Sequence, residues 1–192
     1  MSKKDAILKA AAVLFASQGF DATTTRQISL EAGATEPLIY YHFKGKDDIF
    51  TTIVKSCFTT YYERLEELKK TKGPQFQKIE QLIFMHYRLL KEMPNEAYLI
   101  FSTCPSRLKD PSNYCTAAIQ ESRKLLLEYL IGCIKKGIKN KEFCKVPPEE
   151  TAILITALIS GLLRQRALGM EKLKTIRKAA IEFCRRSLVV KN

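Results

Sequence analysis

The sequence predicts an all-α fold, and three observations support this prediction. Apolar residues recur three and four positions apart along most of the 192 residues. No long run alternates valine, isoleucine or threonine with polar residues, as half-buried strands do. No Asn-Gly or Asp-Gly pair is present to form a tight hairpin turn. Glycines and prolines instead separate segments that are long enough to be helices.

The first helix is predicted from one apolar stripe, and its end from a glycine. The stripe follows the spacing i, i+3, i+4, i+7 and i+8 and consists of Ile7, Ala10, Ala11, Leu14 and Phe15. Gly19 comes next, where helices commonly close with a residue in the left-handed conformation. Phe20 can then fold back onto the stripe.

Two short helices are predicted next, joined by a turn at Gly33. Thr24 and Gln27 have the spacing of a capping box, in which each side chain bonds the backbone N–H of the other residue. Thr35 is a suitable N-cap for the third helix. Pro37 fits the first turn of that helix, because its missing N–H costs nothing there.

A longer fourth helix is predicted from Lys46 to about Lys72, with Gly73-Pro74 as its stop. Prolines also separate the later helical segments. We expect these further helices at residues 75–92, 95–102, 112–138, 149–168 and 170–190.

The composition is typical of a soluble globular protein, with 46% hydrophobic and 27% charged residues. The longest apolar run, Ile153 to Leu163, is shorter than the roughly 20 residues that span a bilayer. The N-terminus lacks the apolar stretch and cleavage site of a secretory signal. We therefore expect a cytoplasmic protein that does not bind membranes.

The six cysteines are scattered along the chain without a CxxC pair. Zinc sites usually contain closely spaced ligand pairs. We therefore expect buried, reduced thiols, with no metal site and no cofactor. The cysteines are Cys57, Cys104, Cys115, Cys133, Cys144 and Cys184.

The net charge of +12 does not by itself predict nucleic-acid binding. Residues 1–50 carry six basic and six acidic side chains, so this segment is neutral. Residues 151–192 carry nine basic and two acidic side chains. Because the excess lies at the far end of the chain, specific residues near the N-terminus must account for any DNA binding.

The second and third predicted helices form a helix-turn-helix, a motif that binds DNA. In this motif the first helix crosses the DNA backbone and the second enters the major groove. Ile39 and Phe43 are four residues apart and can share the inward face of the second. Tyr41 and His42 then turn outward. Tyr40 lies at the border, and we expect its ring in the core rather than in the groove.

The third helix carries most of the candidate DNA contacts. Tyrosine hydroxyls and a histidine N–H can donate to phosphate oxygens. Polar residues at the start of a recognition helix contact base edges, while proline and leucine can press against thymine methyl groups. Glu36 either accepts from a cytosine amino group or only stabilises the helix dipole, and we favour the dipole. The candidates are Thr35, Glu36, Pro37, Leu38, Tyr40, Tyr41 and His42.

Two other helix starts are candidate phosphate sites. Lys46 combines its ammonium group with free backbone N–H groups at the start of the fourth helix, which together attract an anion. At the front of the second helix, Thr24, Thr25 and Arg26 offer a similar end to another phosphate.

The stretches ILKAAAVLFASQGFDATTTRQIS and EAGATEPLIYYHFKGKDDIF combine these features around the Gly33 turn. From Ala6 to Phe50 the sequence resembles the N-terminal domain of the tetracycline-repressor-like (TetR) family of transcriptional regulators. Two positions depart from the family pattern: Ser29, where a small apolar residue is usual, and Ala34, where valine is common. Neither is a DNA-facing position.

The resemblance implies a DNA-binding domain over residues 1–46 and a larger helical domain over residues 47–192. The larger domain would bind a small, mostly apolar effector and pair two chains through the last two helices. Such a homodimer would bind a palindromic double-stranded DNA operator. The candidate effector contacts lie on the helices expected to frame the cavity and are Tyr61, Tyr62, Phe84, His86, Tyr87, Tyr98 and Phe101.

The apolar stripes of the last two predicted helices can serve either a dimer or the core of one chain. The first stripe consists of Ala152, Ile155, Ile159, Leu162 and Leu163. The second consists of Leu173, Ile176, Ala180 and Phe183. The pattern alone does not decide between the two uses, and the resemblance favours the dimer.

Three other functions are conceivable for this sequence. An enzyme is disfavoured because His42 and His86 are the only histidines and no nucleophile, paired-carboxylate or glycine-rich phosphate motif accompanies them. A DNA-binding architectural or adaptor protein of the same fold, without a small ligand, is the alternative that stays open. A membrane-surface protein is disfavoured because no wholly exposed apolar face opposes the basic residues near the C-terminus.

Overall fold

The computed structural model describes residues 2–107, 114–167 and 173–190. These residues form nine helices, and their one β contact is an isolated antiparallel bridge between Phe143 and Val189. The all-α prediction is confirmed. In chain order the helices are α1 (Lys3–Gln18), α2 (Thr25–Glu31), α3 (Glu36–His42), α4 (Lys46–Lys69), α5 (Gln75–Glu92), α6 (Pro94–Arg107), α7 (Tyr114–Lys139), α8 (Pro148–Ala167) and α9 (Leu173–Leu188).

Two helix ends differ from the prediction. Helix α4 ends at Lys69, because the N–H groups of Lys70 and Thr71 bond to carbonyls three residues back and tighten the last turn. Helix α6 continues to Arg107, past residue 102, although residue 105 within it is a proline. The predicted starts of the seventh and ninth helices, residues 112 and 170, lie outside the described residues.

The helices pack into two compact units. The first contains the described residues of Met1–Thr60 and Met93–Ile119, and the second those of Tyr61–Glu92 and Gln120–Asn192. These units divide the chain differently from the functional division at residues 46 and 47, which stays a prediction.

Three phenylalanines form the centre of the first unit. Phe15 on α1, Phe20 in the following loop and Phe50 on α4 are all buried. Their ring centroids lie 5.1 Å (Phe15–Phe20), 5.3 Å (Phe20–Phe50) and 6.0 Å (Phe15–Phe50) apart. Phe20 thus folds back onto the apolar stripe of α1, as the sequence indicated. Helix α6 packs against α1 in the same unit.

The end of α1 differs from the predicted left-handed cap. Gly19 has a positive φ of 90°, but its ψ of 158° is extended. This conformation is open almost only to glycine. The chain therefore leaves α1 in an extended direction instead of curling back, which carries Phe20 to its buried site.

The turn between α2 and α3 is a Schellman motif. Gly33 has a φ of 56°, the N–H of Gly33 donates to the Leu30 carbonyl at 3.1 Å, and the N–H of Ala34 donates to the Ser29 carbonyl at 2.9 Å. At the other end of α2, the predicted capping box between Thr24 and Gln27 is present. Both ends of α2 are thus closed by local contacts.

The second unit is built on α5, which packs against α8 and α9. The predicted stripe of α8 is buried there, and no member of it is more than 8% exposed. This stripe therefore belongs to the core of the chain. Of the predicted α9 stripe, Ala180 is buried, whereas Ile176 and Phe183 are 36% and 66% exposed. The side chain of Leu173 lies outside the described residues.

Five of the six cysteines have side chains among the described residues. Cys57, Cys115, Cys133 and Cys184 are buried and form no disulfide, and Cys144 is exposed and forms none. The side chain of Cys104 lies outside the described part of the chain. None of the helices described is long and apolar enough to cross a membrane. The same residues contain no cluster of metal-ligating side chains.

The loop after α7 packs against the end of the chain. Cys144 N–H donates to the Leu188 carbonyl at 2.8 Å, beside the bridge between Phe143 and Val189. The Phe143 ring is buried directly against the backbone of Gly137, where a Cβ atom would overlap it. Glycine at 137 is therefore required by packing.

We expect Gly137→Ala to destabilise the protein, because the added methyl group forces the Phe143 ring out of its site. Overpacking of this kind costs about 1–3 kcal/mol. Differential scanning calorimetry should show a Tm several degrees lower. Gly132→Ala on the same helix is the control, because a Cβ there meets no atom within 4 Å. Equal Tm values for the two variants would contradict the packing role of Gly137.

Candidate nucleic-acid interface

Helix α3 buries one face and exposes the other. Ile39 is fully buried and Phe43, the residue after the helix, is 4% exposed. Tyr41 is 81% exposed. His42 is half-buried, with its ring 4.9 Å from the Tyr41 ring and 6.2 Å from the Phe43 ring. The predicted burial of Ile39 and Phe43 and the predicted exposure of Tyr41 are therefore observed, whereas His42 is only partly exposed.

Tyr40 differs from the expectation that its ring lies in the core. It is 57% exposed. Its hydroxyl lies 3.3 Å from the Thr25 hydroxyl at the start of α2. The ring thus stays at the surface, and its hydroxyl contacts a partner on the neighbouring helix α2.

Thr25 joins the two helices through a set of hydrogen bonds that we name the Thr25 clasp, formed by Thr25, Glu36 and Tyr40. The Thr25 hydroxyl donates to Glu36 Oε1 at 2.7 Å. Because Thr25 has only one hydroxyl proton, the Tyr40 hydroxyl must be the donor in its contact with Thr25. The Tyr40 oxygen is then left as an acceptor. In this arrangement Tyr40 cannot also donate to a phosphate.

The clasp gives Glu36 a partner that the sequence did not indicate. Glu36 begins α3 and lies in its first turn, which suits the helix dipole. Its hydrogen bond to Thr25 adds a link between the two helix starts. Glu36 is thus placed to hold α3 against α2 with one carboxylate oxygen, while the other oxygen makes no hydrogen bond within the described residues.

Lys46 begins α4, as predicted, but its ammonium group already has partners. It donates to the carbonyl oxygens of Phe20 at 2.8 Å and of Asp21 at 3.2 Å. It also lies 4.5 Å from the centroid of the Phe20 ring. Two of its three N–H groups therefore hold the loop after α1, and one is left for a phosphate.

The other predicted contacts lie on the surface or at its edge. Thr24 is exposed, but its hydroxyl is used in the capping box of α2. Arg26, Thr35 and Pro37 are exposed, and Leu38 is half-buried. Thr35 is the N-cap residue of α3 and makes no side-chain capping bond. Its hydroxyl therefore has no role in closing the helix.

Contacts from the start of α1 were not predicted. Lys3 Nζ donates to the carbonyl oxygen of Gly33 at 2.8 Å, and Lys4 Nζ lies 5.7 Å from the centroid of the Phe43 ring. Leu30 on α2 is 72% exposed. No local pattern links Lys3 to a turn thirty residues away, so the sequence offered no signal for this contact.

Comparison with known proteins identifies this arrangement. The profile of the family described as "Bacterial regulatory proteins, tetR family" matches residues 7–53, which contain α2, α3 and nearly all of α1. The fatty acid metabolism regulator protein of Bacillus subtilis is 29% identical over 136 residues, covering 71% of this chain and 68% of that protein. The chain thus contains a tetR-family regulatory domain over residues 7–53.

Solved structures of TetR regulators share the fold over nearly the whole chain. The ketosteroid regulator KstR2 of Mycobacterium tuberculosis superposes with a TM-score of 0.81 at 17% identity, covering 99% of this chain and 96% of that one. The regulator FadR of Bacillus subtilis in complex with stearoyl-CoA superposes with a TM-score of 0.71 at 24% identity, covering 94% and 96%. These relatives are regulators rather than enzymes.

The residues predicted to contact an effector are divided between the two units of the chain. Tyr61, Tyr62, Phe84, His86 and Tyr87 lie in the second unit, and Tyr98 and Phe101 in the first. Tyr61, Tyr62, Tyr98 and Phe101 are half-buried, while His86 and Tyr87 are each 7% exposed. Phe84 is 42% exposed and is covered by the Arg177 guanidinium at 4.6 Å. Phe84 thus lies at the surface of its unit.

Burial strongly perturbs the pKa of His86. Burial lowers its pKa to about 4, so the ring is neutral near pH 7. Its Nδ1 lies 2.8 Å from the Leu82 carbonyl, which can only accept, so Nδ1 carries the proton and Nε2 is an acceptor. The ring of Tyr61 is 5.5 Å away, and burial raises the pKa of Tyr61 well above 10. A ligand between α4 and α5 would meet one buried acceptor among aromatic rings.

We expect the Thr25 clasp to show an energetic coupling in a double-mutant cycle. Thr25→Val and Glu36→Ala each remove one partner, and the double variant should be about 1 kcal/mol more stable than the sum of the single changes predicts, since a hydrogen bond to a charged group is lost only once. Denaturant unfolding monitored by circular dichroism measures the three values. Thr59→Val, at an exposed position of α4, replaces Thr25→Val in the control cycle and should show no coupling. Zero coupling between Thr25 and Glu36 would exclude the clasp.

Proposed function

We propose that this protein is a TetR-family repressor that binds a palindromic operator as a homodimer and releases it when a small, mostly apolar effector binds. The observation that carries the proposal is α3. It is fixed by the burial of Ile39 and Phe43, and it presents Tyr41 with 81% of its surface exposed. We place this activity in the cytoplasm.

The proposed DNA contacts come from the exposed side of α2, α3 and the start of α4. Tyr41 and His42 donate to phosphate oxygens, and Arg26 adds a cation at the front of α2. Thr35 contacts a base edge, while Pro37 and Leu38 approach thymine methyl groups. Because the region is neutral overall, these hydrogen bonds supply more of the affinity than bulk attraction does.

The remaining candidates position the contact residues. The Thr25 clasp fixes α3 relative to α2, which sets the angle at which the recognition helix enters the groove. Lys46 holds the loop after α1 with two hydrogen bonds and can offer its third N–H to a phosphate. Thr24 caps α2 and keeps its N-terminus in place for the same backbone. These residues contribute to DNA binding mainly by holding the helices in position.

The proposed dimer surface is the apolar face of α8 and α9 that the chain leaves uncovered. On α8, Ile153 is 47% and Leu154 is 70% exposed; on α9, Phe183 is 66% exposed. Exposed apolar patches of this kind mark interaction surfaces. Ile176 at 36% lies on the same face of α9. Pairing this face with its copy gives a four-helix arrangement with two-fold symmetry.

A two-fold dimer determines the form of the operator. Its two recognition helices are related by the same symmetry, so the half-sites form a palindrome and lie about 34–36 Å apart, one turn of DNA. The effector acts by population shift. It binds a conformer in which this spacing is wrong, and α4, which begins next to α3, carries the change to the DNA-binding region.

The effector class is supported by the interior of the second unit and by one relative. Tyr61, His86 and Tyr87 place aromatic surface and a single acceptor in the interior, which suits a ligand with an apolar body and one donor. The FadR structure of Bacillus subtilis holds stearoyl-CoA, a ligand with a long apolar chain. We therefore propose an amphipathic, largely apolar effector.

We expect Tyr41→Phe to weaken operator binding by about 1–2 kcal/mol, roughly 5- to 30-fold, because one hydrogen bond to a charged phosphate is lost while the ring is kept. An operator selected from random duplexes supplies the DNA, and fluorescence anisotropy measures the Kd. Tyr40→Phe is the matched variant on the same helix and should have a smaller effect, because its hydroxyl donates to Thr25.

The two tyrosine variants separate the possible outcomes. A larger loss from Tyr40→Phe than from Tyr41→Phe would reverse their assigned roles. Unchanged affinity in both would remove α3 hydroxyls from the interface, and failure to select any duplex sequence would exclude a sequence-specific regulator.

We expect Leu154→Glu to convert the dimer to a monomer at micromolar concentration, because two carboxylates would be buried at the two-fold axis region without partners. Sedimentation equilibrium measures the mass of the particle. Leu30→Glu is a closely matched control: Leu30 is 72% exposed and Leu154 is 70% exposed, but Leu30 lies on α2. A wild-type monomer, or equal dissociation of both variants, would contradict the proposed surface.

A further inference from the structure

The second unit contains a cleft whose lining is basic. Its volume is about 280 Å³, and it is formed where the end of α4, the start of α5 and the middle of α7 meet. We call it the basic cleft. Its lining residues are Lys69, Gln75, Lys78, Glu128, Tyr129, Gly132, Cys133 and Lys136. None of these belongs to the DNA-binding or effector residues named above.

The charges of the basic cleft are only partly compensated. Three lysines and one glutamate line it. Lys69 Nζ pairs with Glu66 at 2.6 Å, which lies outside the cleft. Lys78 and Lys136 form no ion pair within the described residues. A cleft with two unneutralised ammonium groups attracts an anion.

Cys133 shows that these two ammonium groups act on one place. Burial raises the pKa of the Cys133 thiol, and this rise is opposed by the Tyr129 hydroxyl and then by the charges of Lys78 and Lys136. Both lysines are therefore close enough to the same buried thiol to stabilise a negative charge there. An anion at the mouth of the cleft would be subject to the same two charges.

Two buried polar atoms of the cleft have no strong hydrogen-bond partner in the described part of the chain. They are Gln75 Oε1 and the Tyr129 hydroxyl oxygen. Gln75 is 7% exposed, and its backbone is held by an N–H that donates to Glu142 Oε2 at 2.6 Å. Next to the Tyr129 hydroxyl is the Cys133 thiol, a weak partner. Buried polar groups normally have partners, so the two atoms point to a missing one.

We propose that the basic cleft binds the phosphate group of a small phosphorylated molecule that carries a hydroxyl beside the phosphate. The phosphate dianion matches the two unneutralised ammonium groups of Lys78 and Lys136, and the Tyr129 hydroxyl donates to one of its oxygens. Gln75 Oε1 accepts from the neighbouring ligand hydroxyl. A single carboxylate would neutralise only one ammonium group and supply no donor to Gln75.

The volume and position of the basic cleft agree with such a ligand. A cleft of about 280 Å³ holds a phosphate and an adjoining sugar but not a long apolar chain. Glu128 lies at the exposed side of the lining, where it repels a second anionic group. The cleft therefore gives this regulator a ligand input that differs chemically from the apolar effector.

Binding of AMP tests the proposal, with adenosine as the matched ligand that lacks the phosphate. Isothermal titration calorimetry on the full chain at low ionic strength should show that AMP binds and adenosine does not. The variant Lys78→Gln/Lys136→Gln should lose at least tenfold in AMP affinity, because both cations that face the phosphate are gone. Tyr129→Phe should lose a smaller part, since one hydrogen bond is removed.

The control variant is Lys124→Gln/Lys139→Gln, which removes the same charge from exposed positions of α7 outside the cleft. It should keep AMP affinity within about twofold if the effect is local rather than a long-range charge effect. Circular dichroism confirms the fold of each variant. Equal losses in both double variants, or AMP binding that is unaffected by Lys78→Gln/Lys136→Gln, would overturn the proposal.

A second ligand distinguishes a free phosphorylated molecule from a phosphate carried by the effector itself. Stearoyl-CoA contains both an apolar chain and phosphates, and this arm rests on the effector class proposed above. Loss of AMP binding in Lys78→Gln/Lys136→Gln indicates a free ligand, while loss of stearoyl-CoA binding alone assigns the phosphate to the effector. Insensitivity of both ligands rejects the site, whereas stearoyl-CoA failing to bind the wild type rejects only the effector class.

Discussion

The left-handed conformation of Gly33 is the constraint on which the DNA-binding region depends. With φ at 56°, the chain closes α2 through two backbone hydrogen bonds and turns directly into α3. A residue with a side chain would be strained at this φ. The turn sets where α3 begins, and the burial of Ile39 fixes its rotation about its own axis. Tyr41 faces outward only because both conditions hold together.

Polar contacts around the turn use groups that a charge count would assign to DNA. Lys46 donates two hydrogen bonds to the carbonyls of Phe20 and Asp21, and Lys3 donates one to the carbonyl of Gly33. Glu36 accepts from Thr25 instead of meeting a base. The charged side chains of the neutral N-terminal region thus stabilise its own structure. Its affinity for DNA must come more from well-placed hydrogen-bond donors than from attraction between its net charge and the phosphates. The donors are kept in place by the rigid frame that these internal contacts provide.

Local patterns in the sequence predicted the helices and the two faces of α3, because caps, glycines and apolar spacing act within a few residues. They did not predict the partners of Tyr40 and Lys46. The partner of Tyr40 is Thr25, which is 15 residues away. The partners of Lys46 are the carbonyls of Phe20 and Asp21, which are 26 and 25 residues away. The basic cleft was missed for the same reason, since Lys78 and Lys136 meet only after α5 and α7 have packed. The spacing of apolar residues indicates which face of a helix is buried, whereas long-range packing determines which residues cover that face.

Helix α8 shows what this distinction means for assembly. Its stripe through Ile155 and Ile159 is buried by the chain itself, yet Ile153 and Leu154 on another side are exposed. A helix that is apolar on most of its circumference is stable in water only when it is covered on more than one side. The chain covers one side with α5 and α9. In the homodimer proposed above, a second copy presenting the same face of α8 and α9 would cover this exposed side by symmetry.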